Sequence, residues 1–376
     1  GTSADGIDVA VIQYNKDSST PAELIDFSEY PMPEKLREPI LRLAAPGINE
    51  IDSMGELDRA LGQAYAEAVQ ATIREAGLNH NHIAAIGCHG QTIRHRPKTN
   101  HPFTMQIGCA ATLTERTGIT AVSDFRSRDI AAGGEGAPLV PFAHRQLFAS
   151  STKNTAVLNL GGIANITWLG AAGGLSGFDT GPGNMIMDGL MLDISDGRHA
   201  YDENGELAAS GTACQSLLEQ LMHHPFLQRR PPKSTGREEF GEAVIDTIIH
   251  WPDISDADRL ATACQFTANS VADSIAFLPA KPDAWLVCGG GVKNRHLMQL
   301  LAEQLSPASV ASTEKRNIPP QAVESMCFAM LARQTLMGQP NTLAAVTGAN
   351  HDICGGQITP GNNWSALLQS IPTWIR

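Results

Sequence analysis

The chain has 376 residues, 42% of them hydrophobic and 18% charged, which is a globular mix too long for one ordinary core and suited to two domains. Its formal net charge of −12 argues against a nucleic-acid binder, which needs a basic face to neutralise phosphates. A phosphorylated small ligand stays open, because backbone N–H groups, helix N-termini and a metal ion can supply local positive charge.

Ile7 to Tyr14 reads as a strand. Ser53 to Glu56 has the form of a capping box, and Met54, Leu57, Leu61, Ala64, Ala68 and Ile73 follow at helical spacing until Gly77 closes the helix. Ile83 to Cys88 is a short buried strand running into a polar turn, His89 to Thr92, and Ile119 to Val122 is another, ending at Ser123 and Asp124. Glycine and proline then interrupt the pattern, which places a domain boundary between Asp124 and Pro138. Ala156 to Leu160 and Ile163 to Trp168 are strands flanking Gly161 and Gly162, and a helix runs from Met185 to Leu192. Ala284 to Cys288 is a strand followed by Gly289, Gly290, Gly291 and a helix from about Arg295 to Leu305. Alanine-rich helices cover about 258–278 and 322–338. The alternation gives an α/β fold. The expected division is a first domain of residues 1–125, completed by the tail 340–376, and a second of residues 126–339.

Seven cysteines, Cys88, Cys109, Cys214, Cys264, Cys288, Cys327 and Cys354, are scattered and never spaced C-x-x-C. They form neither a disulfide framework nor a zinc site and suggest a reducing cytoplasm. No stretch approaches the roughly twenty apolar residues that span a bilayer. No signal peptide is visible, and the sequence starts at Gly1 without a Met.

Several groups of residues can carry chemistry. Residues 1–8 (Gly1, Thr2, Ser3, Ala4, Asp5, Gly6, Ile7, Asp8) join glycines, hydroxyls and carboxylates, as a phosphate-cradling turn wants: glycine admits close N–H approach, hydroxyls donate, and a carboxylate holds Mg2+. An ordinary polar hairpin uses the same types. Gly289 to Gly291 between a strand and a helix lets a flat ligand such as adenosine lie on the main chain, beside the plainer reading of a tight connection. Asp179 enters a Gly-Pro-Gly turn, which suits a general base held on a stiff turn and equally a turn-capping aspartate. Gln91 and Thr92 end one cluster, and Arg126 and Arg128 belong to another. An arginine there can fork a carboxylate or phosphate, or pair structurally with Asp124 or Asp129. Glu324 starts a helix whose Met326, Phe328, Met330 and Leu331 read as core. The two strand–turn–strand segments, at residues 1–11 and 161–165, echo each other faintly.

These motifs come in order: Gly-Thr-Ser-x-Asp-Gly-x-Asp at 1–8, Gly-Cys-His-Gly-Gln-Thr at 87–92 and Asp-Phe-Arg-x-Arg-Asp-Ile at 124–130. Gly-Glu-Gly-Ala-Pro-Leu-Val-Pro at 134–141, Asn-Leu-Gly-Gly-Ile-Ala-Asn at 159–165 and Asp-Thr-Gly-Pro-Gly-Asn at 179–184 follow, then Lys-Ser-Thr-Gly-Arg-Glu at 233–238 and Cys-Gly-Gly-Gly-x-x-Asn at 288–294. The series is similar to that of the anhydro-N-acetylmuramic acid kinases, in the actin-like ATPase and sugar-kinase group, and covers nearly the whole chain. The resemblance implies two duplicated actin/hexokinase-like domains around a nucleotide cleft. It makes residues 1–8 the first phosphate turn, 159–165 (with Gly161 and Gly162) the second, and Gly289, Gly290 and Gly291 the adenosine border. It matches Asp179 to the family's base, Glu324 to its assisting glutamate, and Asp8 to a ligand of the metal. Gln91, Thr92 and Arg126 become sugar contacts, ATP and Mg2+ the cofactors, and a cytoplasmic homodimer the assembly, with no nucleic-acid or membrane partner. The family carries a short apolar strand before Gly-Thr-Ser that this sequence lacks, so a truncated chain is expected.

The implied reaction differs from that of an ordinary kinase. O6 of 1,6-anhydro-N-acetylmuramic acid is tied to C1, so water activated by Asp179 attacks C1 while O6 takes the γ-phosphoryl of ATP. Closure of the two domains would bring sugar and ATP together and keep other water out. A kinase acting on a free hydroxyl, and an actin- or chaperone-type ATP switch, are the competing readings.

Overall fold

A computed structural model describes residues 6–15 and 22–375, apart from the side chains of residues 238 and 375. The chain divides into two compact units: Gly1–Leu147 with Glu324–Arg376, and Phe148–Val323.

In the first unit β1 (Gly6–Tyr14) pairs antiparallel with β2 (Ala22–Pro31), with a bulge between Val11 and Ile12. The helix Glu50–Glu75 covers them with a stripe of Leu57, Leu61 and Ala68 that packs against Ile7, Leu36 and Ile40. A second stripe, Ala66, Val69 and Ile73, packs against Leu113, Ile119 and Ala121. This helix starts a turn earlier than the capping box at Ser53 foretold: its N-cap is Asn49, and the Glu50 carboxylate bonds Gly47 N–H and Arg94 instead. Gly77 closes it as expected, in the left-handed region at φ 67°. β3 (Ile86–Gly87) lies parallel to β6 (Ala121–Ser123), and β6 pairs antiparallel with β12 (Gln357–Thr359). The expected strand Ile83 to Cys88 shrinks to two residues at a place where helix Ala322–Leu336 presses on the backbone: a Cβ on Gly87 would overlap Phe328 O. Gln91 and Thr92, read as part of a turn, instead open β4 (Gln91–Arg96), which forms a hairpin with β5 (Phe103–Ile107).

The division of the chain falls later than the glycine–proline stretch suggested, because that stretch is a lock and not a linker. Buried Asp129 accepts from Thr347 Oγ1 at 2.8 Å and from Gly136 N–H at 2.7 Å. Glu135 N–H donates to Thr347 O, Asn350 N–H to Ala132 O and Arg128 Nη1 to Cys354 O. Residues 126–147 and 324–339, expected in the second domain, therefore pack with the first, together with the tail that was expected there.

The second unit is built on one five-stranded sheet of order β11-β10-β7-β8-β9. β7 (Thr155–Leu160), β8 (Ile163–Leu169) and β9 (Leu175–Pro182) form an antiparallel meander, while β10 (Ala284–Cys288) and β11 (Ser309–Ser312) run parallel to β7. Apolar residues of β7 and β10 are buried on both faces beneath Leu260, Cys264 and Val271 of helix Asp256–Asp273, Ile186 and Leu190 of helix Met185–Ile194, and Leu297 and Leu301 of helix Arg295–Gln304. The Asp256–Asp273 helix begins on a capping box, with Ser255 and Asp258 bonded reciprocally, two residues before the expected start. The fold is α/β, as the alternation required. In this unit β7 joins a hairpin (β8 and β9) to a parallel pair (β10 and β11). The first unit holds the same parts, hairpin β1–β2 and parallel pair β3–β6, with no joining strand among the described residues.

Candidate active site

In the second unit the hairpin turn Gly161–Gly162 is gripped by the start of a helix. Asn184 N–H donates to Gly161 O at 2.8 Å, and Gly183 and Met185 N–H donate to Gly162 O at 2.9 and 3.1 Å. Only glycine fits at 183, because a Cβ there would overlap Gly161 O. Asn184 Nδ2 reaches Leu160 O at 3.1 Å. The Gly289–Gly291 turn arrives from β10 on the same ground: a Cβ on Gly289, at φ 83°, would stand 2.5 Å from Asn159 Oδ1, and one on Gly291 2.6 Å from Leu160 Cβ and 2.8 Å from Asn184 Oδ1. The two glycine turns are thus brought together with Asn184 between them. A Cβ added at Gly161, Gly162 or Gly290 would make only ordinary contacts, none nearer than 3.5 Å, and Gly162 and Gly290 are exposed. That is the surface a nucleotide needs in order to lie on the main chain, at the positive end of the ten-residue helix Met185–Ile194.

Asp179 stands half-buried on β9 opposite Asn165, three residues ahead of the strand's end at Pro182, from which Gly183 and Asn184 lead into that helix. Its carboxylate Oδ2 accepts from Thr235 N–H at 2.9 Å, and its own N–H donates to Lys233 O at 3.2 Å. A residue 56 positions away therefore holds the carboxylate, which separates it from an aspartate that caps only its own turn. Lys233 is buried, with Nζ 5.8, 4.7 and 4.8 Å from the ring centroids of Phe178, Phe226 and Phe277. Burial pulls its pKa down to about 8, against the attraction of Asp179, which raises it. Thr235 Oγ1 donates to Glu239 at 3.1 Å, and Glu239 pairs with Arg229 at 2.6 Å. Thr235 and Asn184 had no role in the sequence reasoning. Their signals were the last letters of Lys-Ser-Thr and Gly-Pro-Gly-Asn.

In the first unit, Gly6 and Asp8 are exposed at the start of β1 with Ile7 buried between them, while Gly1, Thr2, Ser3, Ala4 and Asp5 lie outside the described residues. Gln91 is buried, and Thr92 Oγ1 accepts from Gln106 Nε2 at 3.3 Å. Arg126 was open to forking an anion or pairing with Asp124 or Asp129. Its guanidinium donates to His89 Nε2 at 3.0 and 2.9 Å and to Gly136 O at 2.7 Å. Among the described residues it forms no salt bridge with either aspartate: Asp124 accepts from Ser127 N–H and Gln357 Nε2, and Asp129 is held as described above. Burial lowers the pKa of Arg126 while Glu324 and then Asp129 support its charge. His89 accepts at Nε2, so it carries its proton on Nδ1, which donates to Gly90 O at 2.7 Å; burial and the neighbouring Arg126 hold its pKa well below the usual value. Glu324 is exposed in the first turn of its helix, and one turn on Phe328 packs on His89 with centroids 4.6 Å apart. A cavity of about 210 Å³ opens beside His89, lined by Asp58, Cys88, Gly90, Ser123 and Asp124 among others. No cluster of three metal-ligating side chains occurs among the described residues.

A family model described as anhydro-N-acetylmuramic acid kinase matches residues 1–361. An anhydro-N-acetylmuramic acid kinase of Coxiella burnetii is 41% identical over 97% of this chain and 97% of its own length. One from Xylella fastidiosa is 44% identical over 93% and 91%. Among solved structures, the Acidaminococcus fermentans (R)-2-hydroxyglutaryl-CoA dehydratase component A superposes with TM-score 0.41 at 11% identity, over 87% of this chain and 97% of that one.

Proposed function

The chain belongs to the anhydro-N-acetylmuramic acid kinase family, and from that premise we propose that Asp179 is the base of its reaction and Glu324 the assisting carboxylate. The reaction phosphorylates 1,6-anhydro-N-acetylmuramic acid at the expense of ATP with a divalent metal, opens the anhydro ring by hydrolysis, and serves cell-wall recycling. Asp179 takes one proton from a water whose oxygen bonds to C1 as the C1–O6 bond breaks. O6 receives the γ-phosphoryl, ADP leaves, and the water's second hydrogen stays on the new anomeric hydroxyl. The products are N-acetylmuramic acid 6-phosphate, ADP and one proton.

The observation that carries this assignment is a carboxylate clamped by Thr235 N–H on the strand that leads into Gly183 and Asn184, whose N–H groups grip the Gly161–Gly162 turn. A fixed carboxylate of this kind suits water activation, and the open glycine surface with its helix N-terminus suits a transferring phosphoryl group. Gly289 to Gly291 border the adenosine in this assignment, and Gln91, Thr92 and Arg126 serve the sugar. Mg2+ is the metal, with the exposed Asp8 as its carboxylate ligand, since a small hard cation that keeps waters and phosphate oxygens needs few protein ligands. When bound, it neutralises phosphate charge. The rest of the first phosphate turn is assigned to Gly1 to Asp5. A cytoplasmic homodimer is the assembly proposed on the family's pattern, and cysteines that are scattered and never spaced C-x-x-C support the compartment.

Reaction in 18O-labelled water tests the chemistry. The label is expected on the anomeric hydroxyl of promptly analysed product and absent from the phosphate ester. Label in the phosphate, or an intact anhydro ring in the phosphorylated product, refutes the mechanism. Asp179→Asn is expected to lower turnover by roughly two orders of magnitude or more with ATP binding little changed.

A further inference from the structure

Lys233 is spent on neither the nucleotide surface nor the sheet core, yet its cation is buried. A lysine is almost never buried without something to compensate its charge. Here three rings supply their negative faces to Nζ, and the carbonyls of Phe226 and Leu227 accept from it at 3.4 Å. The same residue's carbonyl accepts from Asp179 N–H, and two residues on Thr235 N–H binds the Asp179 carboxylate. Backbone and side chain of one short segment therefore converge on one carboxylate. We propose that Lys233 is a positioning residue for Asp179: its ring-caged ammonium keeps the carboxylate ionised while the 233–235 backbone aims it.

The inference rests on Asp179 being the base of the proposed reaction. The charged groups that act on Lys233 are few. Asp179 on β9 attracts it, and Arg229 opposes it while being paired with Glu239. Phe277 presents only its ring. Attraction between two charges is mutual, so the force that raises the lysine's pKa also favours the charged form of Asp179. A cation on a stem that rings hold in place costs the base no reorganisation when it gives up and regains its charge in each turnover.

The test is the pH dependence of kcat/KM for the anhydro-sugar in the wild type, Lys233→Met, Lys233→Arg and Asp179→Asn. Met suits an apolar, ring-lined pocket, so Lys233→Met is expected to fold with undiminished thermal stability. Lys233→Gln is the second neutral variant should Met pack badly. In the neutral variants the acid limb is expected to move up by about one pH unit, a roughly tenfold loss on that limb that is regained at higher pH. Lys233→Arg keeps the charge and is expected to keep the limb near its wild-type position. A neutral variant whose limb is unmoved, or whose loss is the same at every pH, overturns the inference, because a purely structural lysine would behave that way. Should Asp179→Asn prove active, the base assignment itself fails. Should that variant be inactive while the limb stays put, only the role of Lys233 fails.

Discussion

Two alanine substitutions in the same turn region are expected to do opposite things. In Gly183→Ala the added methyl overlaps Gly161 O, and relief requires the helix start to back away from the turn. That movement loosens the N–H donations of Gly183, Asn184 and Met185 to the Gly161 and Gly162 carbonyls. Overpacking costs about 1–3 kcal/mol and each weakened hydrogen bond up to about 1 kcal/mol, so a loss of about 3 kcal/mol is expected. For a unit of this size it lowers Tm by roughly 6–12 °C. In Gly290→Ala the methyl meets nothing closer than Asn184 Nδ2 at 3.8 Å, so stability is expected to stay within about 0.5 kcal/mol of wild type. The methyl then stands in the space assigned to the adenosine, and the KM for ATP is expected to rise roughly tenfold. Calorimetry of the free proteins and steady-state kinetics with varied ATP separate the two. A Gly183→Ala protein that melts like wild type refutes the packing argument. A Gly290→Ala protein with unchanged KM and ATP-induced stabilisation removes the Gly289–Gly291 turn from the nucleotide site.

Burial holds the His144 imidazole neutral down to about pH 3, whereas in the unfolded chain it takes up a proton near 6.5. Its contribution is complete above that value and is lost as pH falls below it, by about 1.4 kcal/mol per pH unit, or about 2 kcal/mol at pH 5. Urea unfolding at pH 7 and 5 is expected to show this fall, and His144→Gln to reduce it. Asn341→Ala tests the tail: buried Asn341 accepts from Gly355 N–H at 2.7 Å and donates to Leu331 O, Thr335 Oγ1 and Gly355 O at 3.0 Å each. Leaving these groups without it is expected to cost on the order of 3 kcal/mol and to open residues 340–376 to limited proteolysis. An unfolding midpoint equal to wild type would show that the tail is not held there.

The parts of this molecule that were legible in sequence are those whose cause is local. Gly161 and Gly162 between two apolar runs announced a hairpin, and Gly289 to Gly291 a strand-to-helix turn, in which Gly289 and Gly291 leave no room for a Cβ. β9 was not read as a strand, since Gly177, Gly181 and Pro182 depress its propensity and pairing with β8 supplies what the sequence lacks. Arg126 sits among aspartates, so local charge suggested an ion pair, but its partner His89 comes from 37 positions upstream. The Thr235 grip on Asp179 spans 56 positions, and no period or propensity records such a contact. Lys233 shows most sharply why the site was only half legible. Composition places a lysine at the surface, and nothing beside it in the chain says otherwise. Its cage is assembled from Phe178 on a strand, Phe226 on a short helix and Phe277 on a turn, three elements that meet only in the folded unit. A residue proposed to perform a reaction carries a chemical signature in its type, whereas one proposed to tune it carries a signature only in its surroundings, and for this reason the sequence could nominate Asp179 as a base but could not nominate Lys233 beside it.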